Sequence, residues 1–269
     1  MPIYSAAARP MVLDEAFDAS LSRPIARRMA RHLYRWGYTA DQVSMLAAGF
    51  GVSAGLCFTG GGLWPVFGGL LLLAMVVTDC ADGEVARLAP PSDKPWRGRM
   101  LDGVADLATI VSVHIAMAIV LARSNIMIGG HSLGIFEVLL LTAAGFASFS
   151  WKSSVVDDIK QRLRKTSVDR EIDKYVDQKK TLFEKLLWWM FINYVQTAAR
   201  LTGQGRPGGY ETFRLVAAVG PSHHLVAIAV AAMLSPVAPT LYLTYFLLTI
   251  GPGNLFLYAV LARARRAES

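Results

Sequence analysis

Charge is scarce in this chain. Asp, Glu, Lys and Arg make up 17% of its 269 residues, whereas 54% are hydrophobic. That balance excludes an ordinary soluble domain with a charged shell. Cysteine is almost absent: Cys57 and Cys80 are the only two. They have no metal-ligand spacing, and they fall near opposite ends of neighbouring apolar runs, so neither a thiolate metal site nor a disulfide is expected. The first twenty residues hold acidic groups and no continuous apolar core, so no cleavable signal peptide is expected. Lys is missing from the loops near residues 60, 126 and 236, and Arg occurs only at their border, as Arg123.

What the chain does contain is apolar runs near the roughly 20 residues that cross a bilayer as helix. They place spans at about 42–59, 63–88, 98–122, 132–151, 213–234 and 239–262. Thr39-Ala40-Asp41 starts the first, with Asp41 or Thr39 as N-cap. Gly60-Gly61-Gly62, the loop around Pro90, Pro91 and Pro95, and Ser124 to Gly130 are the turns that follow. Before the spans, Ile25, Met29, Leu33 and Trp36 recur at helical spacing among five arginines, which predicts an amphipathic helix in the membrane interface. The predicted fold is an all-α integral membrane protein with six transmembrane helices and this N-terminal interfacial helix.

Residues 1–38 form a cytoplasmic start, its first twenty residues loosely ordered, with the interfacial helix; residues 39–269 form one six-span domain. Within it, about 152–212 is a charged cytoplasmic insert, whose residues 183–201 read as an interfacial helix. Nearly every basic residue falls on the side of the termini, which makes that side cytoplasmic, in a bacterial-type inner membrane. The net charge of +7 is therefore read as topology and attraction to anionic lipid, with no nucleic-acid partner.

Four carboxylates then stand out. Asp79 and Asp82 are spaced i, i+3 at the end of the second span, and Asp102 and Asp106 are spaced i, i+4 at the start of the third. Either spacing puts both side chains on one helical face. Carboxylates beside apolar runs are costly and mark function. Four together repel unless a cation joins them, and their oxygens suit Mg²⁺ or Mn²⁺, with room for two ions. Gly83, Ala86 and Gly98 are small on the same stripes, which fits either close helix packing or close approach of a ligand. Arg87 is placed to meet phosphate oxygens.

Asp79, Asp82, Gly83, Ala86, Arg87, Gly98, Asp102 and Asp106 together resemble the signature of the CDP-alcohol phosphotransferase (phosphatidyltransferase) family, D-x-x-D-G-x-x-A-R, a spacer, then G-x-x-x-D-x-x-x-D. The spacer Leu88 to Arg97 has ten residues, two more than is usual, in a Pro-rich loop. Thr39 to Ser44 resembles the start of the family's first span. The resemblance implies a CDP-linked donor bound through cytidine and diphosphate by Asp82, Gly83, Ala86, Arg87 and Gly98. It implies Asp79, Asp82, Asp102 and Asp106 as metal ligands and Asp106 as the base that takes the proton from an acceptor alcohol while CMP leaves. It also implies a homodimer.

The preferred reading is transfer of phosphatidyl from CDP-diacylglycerol in phospholipid biosynthesis, because a membrane-embedded site suits a lipid donor. Transfer of phosphoinositol or another phospho-polyol from a soluble CDP-alcohol is the alternative, which the run DGEVARL around Glu84 favours. A divalent-cation transporter is a reading of another class, disfavoured because the charges cluster at one membrane end rather than at midplane. Candidates for the acceptor pocket are His223 and His224 after Gly220-Pro221, Asn254 after Gly251-Pro252-Gly253, and Arg206. Each histidine and the asparagine equally fits a role in satisfying backbone freed at a kink. Lys152, Arg200 and Arg214 fit headgroup attraction or a bound phosphate.

Overall fold

The structure, a computed structural model, describes residues 13–90, 95–128, 130–163, 181–182, 184–186, 188–189 and 210–268. Nine helices are used below. They are α1 (Arg23–Arg35), α2 (Ala40–Phe58), α3 (Trp64–Leu88), α4 (Pro95–Arg123), α5 (Ile135–Leu163), α6 (Tyr210–Ala217), α7 (Pro221–Leu234), α8 (Thr240–Ile250) and α9 (Pro252–Glu268). A single turn of π-helix, Asp18–Ser22, runs into α1. Among the described residues six helical stretches are long and apolar enough to cross a membrane: Ala40–Phe58, Trp64–Leu88, Met100–Arg123, Ile135–Lys160, Tyr210–Leu234 and Thr240–Ala264. The chain is an all-α integral membrane protein.

Local chemistry sets the ends of these helices. Thr39, not Asp41, caps α2: its hydroxyl accepts from the Gln42 N–H at 3.3 Å and Gln42 Oε1 accepts from the Thr39 N–H at 3.0 Å. Gly62 takes φ +62° in the turn to α3, a conformation cheap only for glycine. At the other end of α3, Ala89 is extended ahead of Pro90, as the residue before proline must usually be. Between α4 and α5 the expected turn contains a two-residue antiparallel ladder, Met127–Ile128 with His131–Ser132.

The fifth and sixth spans are each broken. Gly220 is extended and Pro221 opens α7; Gly251 ends α8 and Pro252 opens α9. The last carbonyls of α8 then lack helical partners. Lys152 supplies one: its Nζ donates to Thr249 O at 2.6 Å and lies 2.6 Å from Ser148 Oγ.

Small residues let the spans approach closely. A Cβ on Gly51 would collide with Thr109 of α4, and one on Gly55 with the backbone of Ser112. Gly68 lies on Phe58 and on the Ala54 carbonyl, and Gly69 on the Ala229 carbonyl of α7. Phe58, Leu72, Met75, Met117, Tyr242 and Phe246 fill the core between them. With α2 locked onto both α3 and α4, the end of α3 and the start of α4 are held side by side.

Two expectations are corrected. Residues 13–20 are not loosely ordered: Leu13, Asp14, Glu15 and Asp18 are buried, because Leu13 packs on Val155, Phe213 and Leu257 while Phe17 packs on the main core. The interfacial helix α1 is present, but its buried stripe is Ala26, Ala30 and Leu33 against Val43, Ala81 and Val85. Ile25 and Trp36 face outward, where an interfacial helix meets lipid. The fourth span also runs on as helix to Leu163. The remainder of the 152–212 insert, apart from a few residues between 181 and 189 and the start of α6 at Tyr210, lies outside the described residues, as do residues 1–12 and the tip of the proline loop.

Candidate active site

Asp79 and Asp82 lie in the last turns of α3, and Asp102 and Asp106 in the first turns of α4. One carboxylate oxygen each from Asp79, Asp82 and Asp102 lies within 4.8 Å of the other two. The Asp102 side chain is in hydrogen-bonding reach of both Asp79 and Asp82, and Asp106 is in reach of Asp79. Asp102 Oδ1 is buried with no hydrogen-bond partner among the described residues. Carboxylates packed this way repel unless a cation or a shared proton joins them. Clustered hard oxygen donors, one of them buried and unpartnered, fit a divalent cation. Asp106 stands at the edge of this group, beside Asp79.

One contributor had no individual mark in the sequence. Ser44, buried on α2, donates to Asp82 Oδ2 at 2.5 Å. It shares a buried face with Ala47 and Gly51, and a hydroxyl on an otherwise small and apolar stripe was the available signal.

The small residues of the motif leave space. A Cβ on Gly83 would lie 3.7 Å from Arg87 Nη1, and one on Gly98 would lie 3.7 Å from Asp41 Oδ1; Ala86 is exposed. Arg87 does not stand alone. It makes an ion pair and a 3.3 Å hydrogen bond with Glu84. Glu84 also lies 3.7 Å from Arg23 and from Arg27, and Arg23 pairs with Asp14 at 2.6 Å. Three guanidiniums thus face two carboxylates, leaving net positive charge beside Gly83.

The acceptor candidates part company. His224 is buried, with Nδ1 3.2 Å from the Tyr245 hydroxyl and its ring edge-on to Phe149. Asn254 Oδ1 lies 2.8 Å from Ser148 Oγ, in the network that covers the α8 break. Lys152 belongs to the same network and is fully buried, and Arg214 is exposed. Arg206 and Arg200 lie outside the described residues. His223 is different. Its ring and its N–H both meet the Glu15 carboxylate, at 3.0 and 3.2 Å. The next acidic residue, Asp18, is within electrostatic range of both His223 and Asp79. Burial pushes the Glu15 carboxyl above its ordinary value, and the hydrogen bond from His223 offsets this in part. Glu15 and Asp18 were missed in the sequence because an acidic pair ahead of an interfacial helix reads as solvated.

Residues 38–165, from the residue before the Thr39 cap through α5, match the family model for CDP-alcohol phosphatidyltransferase. Comparison with curated proteins and with solved structures gives no match. The family transfers a substituted phosphate from a CDP-alcohol to an acceptor and generally depends on a divalent metal. With its motif intact at the junction of α3 and α4, and with six membrane-spanning stretches among the described residues, the chain is similar over residues 38–165 to the CDP-alcohol phosphatidyltransferase family, a family of transferases.

Proposed function

We propose that this enzyme moves phosphatidyl from CDP-diacylglycerol to an acceptor alcohol in phospholipid biosynthesis, with release of CMP. The observation that carries this reading is the meeting of Asp79, Asp82 and Asp102 within 4.8 Å, with a buried oxygen of Asp102 left unpartnered among the described residues. In this reading the aspartates stand at the cytoplasmic membrane face, as the distribution of Lys and Arg requires.

Asp79, Asp82 and Asp102 would hold Mg²⁺ or Mn²⁺, with Asp106 available to a second ion, and Ser44 fixes Asp82. When bound, such ions would supply positive charge to the diphosphate oxygens. Gly83, Ala86 and Gly98 leave the donor's diphosphate room to come close. Arg87, oriented by Glu84, offers a fork of N–H donors to phosphate. Asp106 takes the proton of the acceptor hydroxyl, whose oxygen forms a bond to the phosphorus distal to the cytidine. The P–O bond to CMP breaks, and CMP leaves with that electron pair.

A lipid donor is supported by a groove of about 490 Å³ that begins at Val219 and His223 and follows α7 and α8 past Ala227, Val230 and Leu248. Its polar end lies at His223 and the remainder is mainly apolar, which suits an acyl chain. The homodimer belongs to this proposal too and is read from the mass of the detergent-solubilised particle. The test is a substrate screen: purified protein with Mg²⁺ is offered CDP-diacylglycerol or CDP-inositol, each with several alcohols, and CMP is measured. Release from CDP-diacylglycerol is expected, and release only from soluble CDP-polyols overturns the lipid donor.

A further inference from the structure

A fifth carboxylate faces this site from outside the motif. Asp18, in the π-helical turn before α1, is 7% exposed. Its Oδ2 accepts from Ser222 Oγ at 2.7 Å, near the start of α7. Its Oδ1 is buried and has no partner among the described residues. A buried carboxylate oxygen without a donor is expensive unless a ligand supplies one. Asp18 is close enough to Asp79 and to Cys80 for its charge to act on both.

We infer that Asp18 is the hydroxyl-recognising residue of the acceptor subsite, and that the acceptor is an uncharged polyol bearing no phosphate. The inference rests on the transfer reading above. Two neighbours of Asp79 place the subsite. Asp106, the base in that reading, is in hydrogen-bonding reach of Asp79, and Asp18 is in electrostatic range of it. In that reading the donor's diphosphate meets Gly83 and Arg87. An alcohol that gives its proton to Asp106 therefore comes close to Asp79, the residue on which the Asp18 charge also acts.

The surrounding groups among the described residues point to the chemical class. Glu15 is buried 3.0 Å from the His223 ring, and the side chain of His223 is about one-third exposed at the mouth of the groove. Carboxylate, hydroxyl and imidazole groups match the hydroxyls of a polyol, which both donate and accept. A phosphorylated acceptor would bring its own negative charge against Glu15 and Asp18, which stand outside the cation site, and like charges at this range oppose binding.

The experiment uses the full chain in detergent with Mn²⁺ and CDP-diacylglycerol. Acceptors are offered in pairs, glycerol with glycerol 3-phosphate and myo-inositol with its monophosphate, and serine is included as a charged amino alcohol. The uncharged member of a pair should be preferred by about tenfold or more in kcat/KM. Asp18→Ala should raise its KM by about tenfold, while the KM for CDP-diacylglycerol and the Mn²⁺ affinity stay within about threefold. Asp18→Asn keeps the size and the bond to Ser222, so it tests a folded protein. It should cut the preference for the uncharged acceptor over its phosphate by about fivefold. Preference for a phosphorylated acceptor or for serine overturns the inference. So does an acceptor KM unchanged in both variants, and so does a loss of Mn²⁺ affinity that accounts for the change, because Asp18 would then be a metal ligand. CMP release from no CDP donor refutes the transfer reading itself, whereas release with an unchanged acceptor KM refutes this inference alone.

Discussion

Ser44→Ala removes one hydroxyl and nothing else from the site. That hydroxyl donates at 2.5 Å to Asp82 Oδ2, and both residues are buried. A hydrogen bond to a charged group contributes about 1.5–3 kcal/mol. At about 1.4 kcal/mol per factor of ten, its loss should weaken divalent-cation binding by roughly 10- to 100-fold, the range typical of groups that orient metal ligands. The cause is orientation: Asp82 keeps its charge but loses the contact that fixes one of its oxygens. Electron paramagnetic resonance titration of Mn²⁺ into the solubilised protein reads the affinity without catalysis. A melting curve without metal should shift by only a few degrees, since one hydrogen bond among six spans is lost. An intact fold with Mn²⁺ affinity within about twofold of wild type would refute the claim that Ser44 positions a ligand.

Other expected outcomes test different parts of the account. Asp106→Asn should abolish CMP release while metal and CDP-donor binding, followed by Mn²⁺ titration and by CDP displacement, stay partly intact; normal turnover would remove Asp106 as the base. Gly55→Ala puts a Cβ onto the Ser112 backbone and should destabilise the bundle by about 1–3 kcal/mol, seen as a lower melting temperature; Gly61→Ala, which meets open space, should change little. Glu84→Gln removes the charge that orients Arg87 and should raise the donor KM by several-fold, on the order of 3 to 10, with the acceptor KM steady. Lys152→Met strips Thr249 O of its ammonium donor and should cost about 1–3 kcal/mol, lowering the melting temperature without moving the donor KM.

Much of the architecture was readable because membrane spans and helix registers are local properties. Apolar runs gave all six spans. Gly220-Pro221 and Gly251-Pro252 marked both breaks, and the i, i+3 and i, i+4 spacings forecast that Asp79, Asp82 and Asp102 would share a space. What was not readable depends on contacts between distant segments. Asp82 meets Ser44 across 38 residues and His223 meets Glu15 across 208, and neither pairing leaves a periodic trace. Leu13 and Phe17 were read as part of a loose leader because a short apolar pair has no period. Their partners, on α5, α6 and the main core, exist only after folding. Asn254 and Lys152 looked like candidates for binding polar ligands, yet Lys152 serves the backbone at the α8 break and Asn254 stands in the same network. A kink in a membrane helix needs such partners whether or not a substrate is nearby.

The central claim is that three clustered aspartates hold the divalent cation on which transfer depends. The most direct measurement is CMP release from CDP-diacylglycerol with a set of acceptor alcohols, run with Mg²⁺, with a chelator and with Asp102→Ala, alongside Mn²⁺ binding to wild type and variant. The account predicts release with Mg²⁺ that stops with the chelator, and parallel loss of release and of Mn²⁺ binding in Asp102→Ala. Release that continues in the chelator, or an Asp102→Ala variant that binds Mn²⁺ and turns over like wild type, would contradict it.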